Sequence, residues 1–259
     1  MFKVFQSIVK YEKSGNILLG QEELNSRLLE NIVPGHLVNA FLSQTSLKST
    51  LKYFENGVTI GKCRFFRYLR PFCSTNLDET SHPLIDVFIS SLDCVCNMFG
   101  CQKIKLFVEK DNLCFLFGSG FDGEASHIGI MLNTAFSIVE MIFKNVDQNT
   151  TEENDSLSES SKVFVQIGIH TLPLLSSVIS SARYYWDILD SSIYKYLDQL
   201  CSVCDNGDIR VSSVCCNSLK SNSEYEFSDK RSTDVAGVGK IVSFLCKEKS
   251  PTSTTETTQ

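Results

Sequence analysis

The distribution of apolar and polar positions divides the chain into elements before any chemistry is considered. Residues 18–42, LLGQEELNSRLLENIVPGHLVNAFL, place leucines at helical spacing as far as Pro34, and a second short helix is expected after it. NGVTIGKCRFFRYLRPF (56–72) follows a turn signal with β-branched and aromatic residues, which predicts a strand near 58–68. From Pro83, the residues Ile85, Phe88, Ile89, Leu92, Val95, Cys96 and Phe99 share one helical stripe, and Gly100 supplies the stop. QKIKLFVE and NLCFLFG, joined by Lys110, Asp111 and Asn112, form a hairpin pattern, and a further helix is expected over about 124–145.

The stretch 145–161, NVDQNTTEENDSLSESS, is acidic and nearly devoid of apolar residues, so it is expected as an exposed loop. After it come a strand ending at His170, an apolar helix or turn near 172–180 and a strand near 184–189. A helix near 191–203 and the strands DIRVS and GKIVSFLCK complete the pattern. The tail SPTSTTETTQ is low in complexity and expected to be disordered. The order strand, helix, hairpin, helix, strand is that of a ferredoxin-like βαββαβ core, giving an α+β fold with an additional C-terminal α/β section. The domain plan is a helical lead-in over 1–45, a folded domain over 46–247 carrying the acidic loop, and a tail over 248–259.

Composition narrows the function classes. A chain of 259 residues that is 42% hydrophobic can bury a substantial core, and no apolar run reaches the roughly 18 residues that a membrane span requires. The N-terminus lacks a signal-peptide pattern, which places the protein in the cytosol. A net charge of −6 argues against nonspecific nucleic-acid binding. The 11 cysteines fall mostly on apolar positions and are expected as reduced, packed thiols. The cluster Cys201, Cys204, Cys215 and Cys216 lacks the repeated knuckle of a structural zinc site, so it too reads as core and loop cysteines.

Four segments, in order, resemble the class III adenylate and guanylate cyclase catalytic domain. They are LLENIVPGHLVNAFL, KIKLFVEKDNLCFLFGSG, VQIGIHTLPLLSSVISS and the run from WDILDSSIYKYLDQL through GDIRVS to VAGVGKIVSFL, and together they span about residues 25–247. The resemblance implies the cyclase fold, ATP or GTP as substrate, magnesium or manganese as cofactor, and a homodimer or a heterodimer with another cyclase domain. It further implies that the chain is, or associates with, the cytosolic part of a membrane cyclase. Attack of the ribose 3'-oxygen on the α-phosphate needs metal to acidify the nucleophile and cations to offset the phosphate charge.

Residue by residue, that machinery is altered. Arg64 stands at the place of the family's first metal Asp, and no Asp or Glu occurs from Val58 through Leu77. The second metal carboxylate is Glu109 when the match runs from KIK, or Asp111 when it runs from FLFGSG. The first register puts Lys105 at the purine-reading Lys, with Asp187 as its companion, whereas the second puts Phe107 there. Tyr194 and Asp198 replace the family Asn and Arg that steady the transition state. A carboxylate at 198 would repel a triphosphate by about 1–4 kcal/mol per charge pair at about 4 Å. Val238 replaces the family Lys of the last turn, with Lys240 two positions later. His170 ends a strand and reads as a hydrogen-bonded structural residue. The expectation is a degenerate cyclase-homology domain that acts through pairing. A divergent active cyclase and a non-enzymatic α/β interaction module are the alternatives.

Overall fold

The computed structural model describes residues 50–67, 81–109, 112–150, 163–180, 184–222 and 224–249. The expected helical lead-in, Asp111, the acidic residues 151–161 and the stretch 250–259 lie outside them. Strand β1 (Thr50–Arg67) leads to helix α1 (Ser81–Phe99), the hairpin β2 (Gln102–Glu109) and β3 (Asn112–Ser119), helix α2 (His127–Thr150) and strand β4 (Val163–Ser180). Strand β5 (Tyr184–Ile188), helix α3 (Ser191–Ser202), strand β6 (Ile209–Ser212), short helix α4 (Ser213–Ser218), and strands β7 (Tyr225–Val235) and β8 (Gly239–Glu248) follow.

The sheet order is β2-β3-β1-β4-β6-β8-β7, with β5 paired to β4 off this path. The first four positions, with α1 and α2 as crossovers, are the expected βαββαβ core, and β6, β8 and β7 extend the same sheet as the additional section. The chain divides into two compact units, one of Phe54–Leu174 with Asp190–Gln259 and one of Met1–Tyr53 with Leu175–Leu189. Within the smaller one, the end of β4 and β5 run antiparallel from Ser176↔Ile188 to Ser180↔Tyr184.

Three local expectations are corrected. The segment 172–180 is neither helix nor turn but the continuation of β4, and Ser176–Ser180 within it pair with β5. Helix α2 runs to Thr150, taking in the first six residues of the stretch expected as loop. Helix α4 and strand β7 had no counterpart in the pattern.

In the larger unit, the two-residue period of β1 sends Cys63 and Phe65 to one face and Lys62 and Arg64 to the other. The first face meets α1 and α2. Phe88, Leu92, Val95 and Cys96 of the expected stripe are buried there with Met131, Leu132, Ala135, Ile138 and Ile142. Phe65 and Phe88 stack with ring centroids 4.3 Å apart. Gly61 on β1 is part of the fit, since a Cβ there would lie 2.6 Å from the Phe117 ring.

On the opposite face of the sheet, α3 lies directly against β4. A Cβ on Gly168 would sit 2.6 Å from Leu200 Cβ and 3.1 Å from the Leu197 carbonyl, so only glycine permits this approach. Asp190 caps α3 by accepting from the Ser192 amide at 2.8 Å, and Ile193, Leu197, Leu200 and Cys201 form its buried stripe. That seating decides where Asp198, on the flank of the stripe, comes to lie. Among the described residues the outer strands of this order are β2, with a register shift between Lys103 and Lys105, and β7, with one between Ser228 and Arg231 where Asp229 adopts φ 42°.

Candidate functional site

Four charged side chains meet on the α3 side of the sheet. The Lys62 ammonium, on a side chain only 1% exposed, donates to both Glu109 Oε2 from the end of β2 and Asp198 Oδ1 from α3. Arg64, two residues along β1, reaches the same Asp198 oxygen at 3.2 Å and Gln166 Oε1 at 3.4 Å. Gln166 is oriented in turn by donating to the Cys204 carbonyl at 2.7 Å. Lys62 also lies 5.3 Å from the Phe107 ring centroid, within cation–π range.

Burial opposes the charge on Lys62, yet its hydrogen bonds to Asp198 and Glu109 outweigh that and hold its pKa above the ordinary lysine value. For Asp198, burial likewise works against ionisation. The Lys62 hydrogen bond and charge, with smaller help from Glu109 and Arg64, leave its pKa below the usual carboxylate value. For Arg64 burial again works against the charge, and its interactions with Cys201 and Asp198 leave its pKa above the ordinary arginine value. These shifts favour the charged forms of Lys62, Arg64 and Asp198, so two cations of the chain are held against Asp198 with Glu109 alongside.

Such a quartet is poorly suited to magnesium or manganese. Hard divalent cations want several oxygen ligands around an open position, whereas Glu109 and Asp198 have theirs turned onto an ammonium, with a guanidinium beside it. No group of three or more His, Cys, Asp or Glu side chains placed to hold a metal ion occurs among the described residues. Arg64 lies against Asp198 on this face, and Glu109 is engaged by a cation of the chain itself.

Sequence reasoning missed Lys62, which ties the site together. The signal was present, since Lys62 and Arg64 alternate with the core residues Cys63 and Phe65 and must share a face. The other expected residues are not all gathered here. Lys105 is exposed on β2, just after the irregularity in its pairing with β3. Tyr194 is half-buried on α3, one turn before Asp198. Lys240 is exposed on β8, opposite Asp234 of β7. Asp187 belongs to the smaller unit, where its Oδ1 accepts from the Ile188 amide at 2.9 Å.

His170 is 8% exposed, and its ring stacks on Tyr196 with centroids 3.8 Å apart and planes within 4°. Its Nδ1 has no hydrogen-bond partner, so stacking rather than the expected hydrogen bond holds that side of the ring, and burial pulls its pKa down to about 4. A neutral imidazole so enclosed is a packing residue. Cys201, Cys204, Cys215 and Cys216 are buried thiols, each pushed above the ordinary cysteine value first of all by burial.

Comparison with known proteins places this fold. The chain resembles the guanylate cyclase domain of RhGC from Catenaria anguillulae, crystallised with GTP, at 17% identity and a TM-score of 0.58, over 77% of this chain and 100% of that one. It resembles the adenylyl cyclase CyaB from P. aeruginosa at 16% identity and a TM-score of 0.55, over 79% and 98%. A dimeric guanylyl cyclase domain of the RhoGC fusion protein from the aquatic fungus Blastocladiella emersonii matches at 16% identity and a TM-score of 0.53, over 78% and 100%. No match was found among curated proteins. The profile of the adenylate and guanylate cyclase catalytic domain matches residues 70–248, more than half of the chain, and the protein belongs to that family.

Proposed function

We propose that this chain is a catalytically silent cyclase domain that works by pairing with a second cyclase domain, its own copy or a different one, as scaffold or regulator. One observation carries the reading: Lys62 engages Glu109 and Asp198 together, with Arg64 on the same Asp198 oxygen. Phosphoryl transfer to a ribose oxygen needs metal-bound oxygens and surplus positive charge facing the triphosphate. The quartet commits its two cations to its own two acidic side chains and turns those inward, so it offers neither. The exchange of the family Asn and Arg for Tyr194 and Asp198 takes away the groups that steady the transition state and supports the same reading.

Within the larger unit, ATP or GTP, where bound, falls to Lys105 and Lys240. A face so built serves an assembly in which the competent groups come from the partner, consistent with the cytosolic side of a cyclase signalling complex.

The test is to incubate the purified chain with ATP or GTP and magnesium or manganese, alone and mixed with a competent cyclase domain, while measuring cyclic product and association. The chain alone should give none, and the mixture should change the competent domain's rate through a complex visible in sedimentation. Cyclic product from the chain alone, abolished by Glu109→Gln, would establish a divergent active cyclase instead. The absence of any complex, whether with itself or with the competent domain, would favour an unrelated interaction role.

A further inference from the structure

The Lys62 contacts join parts of the chain that sequence keeps far apart, 47 residues to Glu109 and 136 to Asp198. Two carboxylates converging on one point repel unless a cation lies between them. Here that cation is supplied by a side chain whose own backbone is fixed at the centre of the sheet, where β1 pairs with β3 through Lys62↔Leu116. The Lys62 carbonyl is also engaged, accepting from Cys201 of α3 at 3.4 Å. Lys62 and Arg64 together bring two positive charges to this point, the charge of one divalent ion. The other titratable groups beside them, Cys114 and Cys201, are buried thiols with raised pKa values, burial being the main cause, so they add no charge of their own.

We propose that Lys62, seconded by Arg64, is a tethered substitute for a divalent cation. It clamps the β2–β3 hairpin to α3 without metal and shuts metal out of the two carboxylates. This deepens the reading above and rests on it for the meaning of the site. Its test reads stability and ion binding rather than cyclic product, so either claim can fail alone. With the ammonium in place the fold is indifferent to magnesium and manganese. With it gone, Glu109 and Asp198 are left facing one another as oxygen ligands, and the clamp becomes metal-dependent.

The experiment compares thermal unfolding of the full chain and of Lys62→Met in EDTA and in millimolar magnesium, manganese or calcium. The parent should melt at the same temperature throughout. Lys62→Met should fall by roughly 5–10 °C in EDTA and regain several degrees with manganese. The regain should vanish when Glu109→Gln and Asp198→Asn are added. A variant that fails to fold in EDTA but folds with manganese gives the same answer in stronger form. A variant restored by no divalent ion overturns the proposal. Independently of any variant's folding, manganese titration of the parent followed by water-proton relaxation should show no bound ion, and binding lost in Glu109→Gln would overturn it as well.

Discussion

The two faces of the central sheet solve burial in opposite ways. Against α1 and α2 the sheet presents Cys63, Phe65 and Phe117, and the partners are Phe88, Leu92, Met131 and Ile138. Each such side chain contributes about 1.5–3 kcal/mol by leaving water, with no demand on direction beyond a close fit. Toward α3, two residues along the same strand bury an ammonium and most of a guanidinium, whose attraction to their carboxylates is offset in large part by the cost of leaving water. The apolar face therefore supplies stability. The charged face fixes one arrangement of β1, β2 and α3, and it is the face on which the cyclase resemblance places chemistry.

The sharpest way to break this contrast is Phe88→Ala. It removes the ring stacked on Phe65 and should cost about 3–5 kcal/mol in urea unfolding, the largest effect of the set. A loss below about 1 kcal/mol would mean that the helical face is not the main source of stability.

On the other face, His170 should make stability depend on acid. Its folded pKa, about 4, lies below the ordinary 6.5, so between those values the unfolded chain takes up a proton that the folded one refuses. Stability should fall by about 3 kcal/mol as pH drops from 6.5 to 4, with no further loss from this residue below that. His170→Phe, which keeps the stack on Tyr196, should flatten the profile between those pH values, and an unchanged slope would assign the acid sensitivity elsewhere.

A smaller loss, about 1–2 kcal/mol, is expected for Asp198→Asn, because Lys62 keeps Glu109 as a partner. Since the Asp198 pKa is depressed, its contribution stands at pH above the ordinary 3.8 and fades as pH falls through the lower folded value. Combining the change with Glu109→Gln should cost more than the sum of the two, as the ammonium loses its last anion. Additive losses would show that the three groups do not act together. At the lower limit, Val214→Ser, on an exposed position of α4, should stay within about 0.5 kcal/mol.

The hairpin β2–β3 was legible to within a residue because its alternation and turn signals are local. The end of β4 was not. TLPLLSSVIS carries a proline and apolar residues at helix-like intervals, and its extended form is imposed by pairing with β5, a partner that local pattern does not show. Strand β7 escaped notice because YEFSDKRSTDV is mostly exposed and polar, and an outer strand need not bury a face. At the site, comparison with the family flagged Arg64, Glu109 and Asp198 singly, as departures from a template. That the three belong to one cluster depends on Lys62 and on Gly168 letting α3 close onto the sheet, which no motif encodes.

The irregularities at the two outer strands bear on how the protein behaves at high concentration. A regular outer strand is a template on which a neighbouring molecule can add its own strand and start a fibre. Here one rim is broken between Lys103 and Lys105 and flanked by their charges, and the other kinks at Asp229 amid Glu226, Lys230 and Arg231. Growth strand upon strand is discouraged at both ends, which leaves association to the broad surfaces, where a partner can be chosen rather than merely accumulated.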